Sequence, residues 1–204
     1  MARTGADIDF TKQTLELCFA SNVYVVPDYQ REYVWEEQNV KPLLDDIIQA
    51  FNFDPQKLYF VGTIVVNIGP DRYEVIDGQQ RLTTFFIMLC ALRKLYEDND
   101  LDSTIIQNLL YSTVMNDYGD TVKSFRLELQ YQDATGFLEK VFQGKIEEND
   151  KRTESTKKIA DAYDLVLITL RDEFDKPDML KRFTAFVLKK SYLYRLKQAI
   201  CLRR

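Results

Sequence analysis

Asp77-Gly78-Gln79-Gln80-Arg81 sets a carboxylate, a glycine, two amides and a guanidinium side by side. The run ahead of it, Tyr73 to Ile76, reads as a strand; behind it Leu82, Phe85, Phe86, Leu89 and Leu92 recur at helical spacing. The cluster therefore falls on a strand-to-helix turn. Such a turn aims backbone N–H groups and the positive end of a helix dipole at whatever docks there. An anion or nucleotide site is the chemistry these residue types support. Asp77 can serve as a general base, as a carboxylate ligand of a metal, or as the orienter of Arg81. Gly78 admits positive φ and close approach of a ligand. Gln79 and Gln80 each carry an acceptor and an NH₂ donor. Arg81 can pair with phosphate, and Thr83 and Thr84 add hydroxyls one turn further on. The competing reading is a salt bridge from Asp77 to Arg81 that only caps the helix. The segment is no Walker loop, which would be glycine-rich with a following Lys-Ser/Thr.

The composition narrows the chemistry. Among 204 residues there is no histidine, which removes imidazole acid–base catalysis, Ser-His and Cys-His pairs and imidazole metal ligands. Carboxylate, Arg, Lys, Tyr or a hard cation such as Mg²⁺ must do any catalysis. Cys18, Cys90 and Cys201 are far apart and read as free thiols, the first two on apolar helical faces. With 27 Lys+Arg against 32 Asp+Glu the net charge is −5, a poor balance for a strong nonspecific DNA binder, although a local basic groove is compatible with it. No apolar run approaches the roughly 18 residues of a membrane span, and no secretory signal opens the chain. A cytoplasmic protein is expected.

Pro27-Asp28-Tyr29-Gln30-Arg31-Glu32-Tyr33-Val34-Trp35 offers a second wall for the turn. Gln30 and Arg31 would face a ligand, with Tyr29, Tyr33 and Trp35 walling the site; the plainer alternative is an extended segment whose aromatics cap the core. An arginine suits the first role because its planar fork grips phosphate in two bonds or stacks on a ring.

The positioning elements follow from periodicity. A first helix is expected over 9–20, a short strand over 22–26, and a helix over 37–51 on Val40, Leu43, Leu44, Ile47, Ile48 and Phe51. Residues 58–68 form a strand with Gly62 marking a bulge and Gly62-Thr63 as candidate pocket lining; a turn at Gly69-Pro70-Asp71-Arg72 returns the chain as the strand that delivers Asp77. Helices are expected over 79–98 and 103–116, a strand over 125–129, a short helix introduced by Asp133 and Thr135, a charged loop over 145–153, and helices over 155–174 and 177–188. The basic tail from Lys189 reads as a solvated terminus, with a basic patch as the alternative. The whole is α+β, a small sheet wrapped by helices over about residues 10–120, after a flexible 1–9, followed by a mainly helical portion over 121–204.

Three blocks carry a family resemblance: Pro27-Asp28-Tyr29-Gln30-Arg31-x-Tyr33-x-Trp35, then Tyr59-Phe60-x-Gly62-x-Ile64, then Ile76-Asp77-Gly78-Gln79-Gln80-Arg81-Leu82-Thr83-Thr84. In that order they resemble the N-terminal domain of GmrSD-type, modification-dependent restriction endonucleases, with weaker echoes at Arg126-Leu127-x-Leu129 and Ala162-Tyr163. The resemblance implies a ParB/sulfiredoxin-like mixed sheet with helices. It implies a nucleotide-binding, NTP-hydrolysing module of bacterial DNA restriction and anti-phage defence, using an NTP with Mg²⁺ and gating a separate nuclease. Asp77, Gln80 and Arg81 would be catalytic, with Asp77 also the metal ligand; Tyr29, Gln30, Arg31, Gly78, Gln79 and Thr83 would bind the nucleotide. The implied partners are nucleotide and DNA, modified and met directly or through the nuclease, with oligomers allowed and no membrane. A modified-DNA sensor without turnover is the alternative, and direct cleavage of DNA or a purely structural role are further ones. Without histidine the chain holds no His-dependent nuclease, so it is expected to be a stand-alone subunit, a truncated product or a fragment.

Overall fold

The computed structural model describes residues 8–20, 22–69, 72–131, 134–146 and 153–198. The readings of residues 1–7, of Pro70 and Asp71, of Asp133, of most of the 145–153 loop, and of Cys201, Arg203 and Arg204 lie outside them.

The architecture is α+β. A mixed sheet of six strands has the order β1-β8-β3-β4-β2-β7. Its strands are β1 (Ile8–Thr14), β2 (Tyr24–Val26), β3 (Tyr59–Ile68), β4 (Tyr73–Asp77), β7 (Leu127–Leu129) and β8 (Ser191–Gln198). A separate hairpin joins β5 (Tyr111–Met115) to β6 (Thr121–Phe125). The helices are α1 (Leu15–Ala20), α2 (Glu37–Phe53), α3 (Gln79–Asp98), α4 (Thr104–Leu110), α5 (Ala134–Gln143), α6 (Glu154–Glu173) and α7 (Pro177–Lys189).

α3 is the axis of the molecule. Every residue from Leu82 to Arg93 is buried, so the helix is covered on all sides, as expected when apolar side chains occupy more than one stripe. It packs on α4, α5 and α6, and its first turn abuts β3 and β4. The antiparallel β3–β4 pair that leads into it shifts register between Val65 and Val66. A second shift, between Phe60 and Gly62, falls where β3 pairs β8, so the bulge expected at Gly62 is present. Cys18 and Cys90 are free and buried, and burial pushes the Cys18 thiol up to about 11.

Three stretches differ from the periodicity. Residues 8–14 form a strand, and only Leu15–Ala20 is helical. The buried Leu15, Cys18 and Phe19 supply the helical spacing, whereas the preceding IDFTKQT alternates and pairs antiparallel with β8. The helix over 103–116 stops at Leu110, because Tyr-Ser-Thr-Val-Met from Tyr111 is rich in strand formers and zips to β6. The largest correction is the basic tail. Ser191–Gln198 is an interior strand, antiparallel to β1 and parallel to β3. Leu193 and Arg195 face inward, and Arg195 is only 4% exposed. Its guanidinium lies 4.7 Å from the Tyr73 ring centroid, so a charge that suggests solvent is stacked on an aromatic face.

β8 therefore carries measurable stability. Leu193→Ala is expected to lower the unfolding free energy by about 2–5 kcal/mol in urea denaturation. A loss within about 0.5 kcal/mol, the range of ordinary surface substitutions, would show the tail to be peripheral.

Candidate functional site

Gly78 is the N-cap of α3 and sits in the left-handed region at φ 87°. A Cβ there would lie 2.9 Å from both the Thr63 carbonyl oxygen and the Ile64 side chain, so backbone geometry and packing both require glycine. Leu82 is the first residue whose N–H reaches a helical carbonyl, that of Gly78 at 3.0 Å. The N–H groups of Gln79, Gln80 and Arg81 precede it, no side chain of the N-cap satisfies them, and the first turn carries no acidic residue. Among the described residues the helix thus begins with free donors and positive potential.

Gln80 is 7% exposed, and both ends of its amide are engaged. Oε1 accepts from the N–H groups of Val34 at 2.8 Å and Trp35 at 3.3 Å, while Nε2 donates to the Glu32 carbonyl at 2.8 Å. The segment from Pro27 to Glu36 has no ladder of its own, so these bonds replace one. Tyr131 accepts from the Tyr33 N–H at 3.3 Å, and the buried Tyr33 hydroxyl meets Thr84 Oγ1 at 2.9 Å. Asn39 closes the segment by accepting from the Glu36 N–H at 3.2 Å as α2 begins. Gln80 thus acts as a positioning residue that docks the aromatic-arginine segment onto α3.

The result is an open cavity of about 270 Å³ lined by Arg31, Trp35, Asp77, Gly78, Gln79, Gln80 and Arg81. Asp77 is exposed at the end of β4, and no ion pair joins it to Arg81 among the described residues. Arg81 instead lies across Gly62. Its NH1 reaches the Thr63 carbonyl at 3.4 Å, and a Cβ on Gly62 would come within 2.6 Å of it. Gly62, at φ 128°, leaves the space the guanidinium occupies.

Three of the expected ligand residues stand elsewhere. Tyr29 is 67% exposed and donates its hydroxyl to Glu74 Oε1 at 2.6 Å, away from the cavity lining. Gln30 closes the turn after Pro27 through its N–H at 3.1 Å from the Pro27 carbonyl. Thr83 is 2% exposed and faces the core. At roughly 100° per helical residue it lies about 200° round from Arg81, on the opposite side of α3. Thr84 belongs to the support, since its hydroxyl also donates to the Gln80 carbonyl at 2.9 Å. Glu74 and Tyr131 carry no motif that would mark them in sequence; their roles come from strand register and from chain distant in sequence.

The donor set suits phosphate: two guanidinium groups and an uncapped helix start converge, with one carboxylate beside them. Among the described residues no cluster of three or more His, Cys, Asp or Glu exists, so an all-protein metal cage is not present there. A single carboxylate with substrate phosphates and water is nevertheless an ordinary way to hold Mg²⁺, and Asp77 fits that mode. No helix among the described residues is long and apolar enough to cross a membrane.

The sequence profile of the family described as GmrSD restriction endonuclease, N-terminal domain, matches residues 11–198. The chain belongs to that family, whose members are parts of restriction systems. No curated protein matches it.

Gln80→Ala would leave the half-buried N–H groups of Val34 and Trp35 and the Glu32 carbonyl without their side-chain partner. A loss of about 1–3 kcal/mol in chemical denaturation is expected, together with faster tryptic cleavage after the exposed Arg31. Unchanged cleavage kinetics would show that the segment is held by other contacts.

Proposed function

We propose that the cavity at the start of α3 binds the phosphates of a nucleoside triphosphate, and that its hydrolysis gates a nuclease in a DNA restriction system. One observation carries this reading: Arg31, Asp77 and Arg81, from three separate elements, converge on the uncapped N-terminus of a fully packed helix. Membership of the GmrSD N-terminal-domain family supports the restriction context. The 204 residues contain no histidine, so in this reading the nuclease that is gated lies in a separate domain or subunit. DNA, modified and met directly or through that partner, is the second ligand of the assembly.

Phosphoryl transfer asks a protein mainly for positioning and charge stabilisation. Arg81, fixed over Gly62, and Arg31, on the opposite wall, supply forked donors for non-bridging oxygens. The first N–H groups of α3 add fixed dipoles that need no reorganisation. A Mg²⁺ ion held through Asp77 would supply neutralisation of phosphate charge. Asp77 itself is placed to orient a water and accept its proton, and Gln79 offers an amide on the same rim. Gln80 and Thr84 hold the frame and take no part in bond making.

Saturating NTP with Mg²⁺ should raise the melting temperature. Ligand at a hundred times Kd stabilises by about 2.7 kcal/mol, and each kcal/mol moves Tm by roughly 2–4 °C at this size. Arg81→Ala should remove most of that shift, and Asp77→Ala should abolish phosphate release while leaving the folded state intact. Absence of any shift with all four NTPs and Mg²⁺ would overturn the proposal; a shift without phosphate release, with or without DNA, would leave a sensor rather than an enzyme.

A further inference from the structure

Trp35 is a wall shared by two cavities. One is the phosphate-suited cavity of about 270 Å³ already described. The other, of about 250 Å³, lies between Trp35, Glu36 and Glu37 on one bank and Lys158, Asp161, Ala162 and Leu165 of α6 on the other. The four α6 positions follow i, i+3, i+4 and i+7, so they form one stripe facing the indole. Ala162 is buried and small, which leaves depth beneath the ring, and Leu165 is half-buried beside it. The main chain of Trp35 is bonded by Gln80, a residue of the first cavity's lining. The two spaces are therefore mechanically joined.

The polar groups of the second cavity have a directional pattern. Lys158 Nζ is held by Glu36 at 3.0 Å, which orients the ammonium and uses one of its three donors. Asp161, one helical turn on, forms no ion pair among the described residues. The stripe thus presents a donor next to a two-oxygen acceptor. Among the four common bases, guanine complements that order: its O6 accepts, and its N1–H and N2–H₂ donate side by side to a carboxylate. Adenine and cytosine would turn a ring-nitrogen lone pair toward Asp161, and uracil flanks its single N–H with two carbonyls. The face of Trp35 supplies stacking for any base.

We propose that the two cavities hold a single nucleotide, with phosphates on the Arg31–Arg81 side and the base against Trp35, and that Lys158 and Asp161 select guanine. This rests on the phosphate reading of the first cavity and names the substrate class of the same site. The chain has one tryptophan, so its emission reports on this wall alone.

The test is titration of Trp35 emission with GTP, ATP, CTP and UTP in the presence of Mg²⁺, on wild type, Asp161→Asn and Lys158→Gln. Asp161 is exposed and Lys158 half-buried on a helix face, and circular dichroism checks that both variants fold. In wild type, GTP should half-saturate at a concentration about tenfold or more below the other three, the discrimination of one good bidentate contact. Asp161→Asn should bring GTP level with the others, and Lys158→Gln should narrow the gap. Equal response to all four NTPs in wild type overturns the base assignment, as does a GTP preference that survives in Asp161→Asn. A parallel thermal-shift arm uses inorganic triphosphate with Mg²⁺. If triphosphate raises Tm while the four NTPs titrate alike, the base assignment alone fails. If neither triphosphate nor any NTP raises Tm, the phosphate site fails and the base assignment with it.

Discussion

The amide of Gln80 is the contact on which the site depends. A buried carboxamide can be left unpaired only at a cost of about 1–3 kcal/mol, and here its oxygen and one of its N–H groups both go to a segment without secondary structure. Glu32, Val34 and Trp35 are thereby fixed to the first turn of α3. Together with Tyr33, which meets Thr84 of the same helix, that connection sets the distance between the wall carrying Arg31 and the turn carrying Asp77 and Arg81. The rest of the fold serves to hold α3 still. Its buried length runs through the core, while β3 and β4 deliver Asp77 at its start and leave Gly62 as the bed of Arg81.

Charge is divided sharply within an acidic chain. Net −5 argues against broad adhesion to nucleic acid. The cavity nevertheless gathers two arginines and a helix N-terminus around one exposed carboxylate, so the local field opposes the global one. A small polyanion is better matched to such a spot than a duplex backbone, which would meet the acidic surface as well. Arg195, by contrast, is a guanidinium consumed by the fold: it stacks on Tyr73, and its Nε and NH1 have no hydrogen-bond partner among the described residues.

Much of this was legible in the residues. The amphipathic run over 37–51, the β3–β4 pair and the helix after Gly78 follow from period and from glycine placement, and Arg31, Trp35 and the Asp77–Arg81 turn do share a cavity. What sequence hid has physical causes. Arg195 and Lys197 mask the alternation of a strand that lies inside the sheet, because a charge can be buried on an aromatic face. Asp9 to Thr14 borrowed a helical look from the true helix next to it. Thr83 was assigned to the site by proximity in sequence, although helical rotation carries it to the core. Gln80, expected from sequence at the catalytic turn, also ties down the segment from Glu32 to Trp35, a role visible only in the three-dimensional accounting of its hydrogen bonds.

Hydrogen–deuterium exchange with a non-hydrolysable nucleoside triphosphate and Mg²⁺ addresses the central claim most directly. The N–H groups of Gln79, Gln80 and Arg81 lie ahead of the helical ladder and should be unprotected in the free protein. Ligand should slow exchange in that turn and in the segment from Arg31 to Trp35, with little change in the β5–β6 hairpin. Unchanged exchange at 79–81 alongside protection elsewhere would contradict a phosphate site at the start of α3.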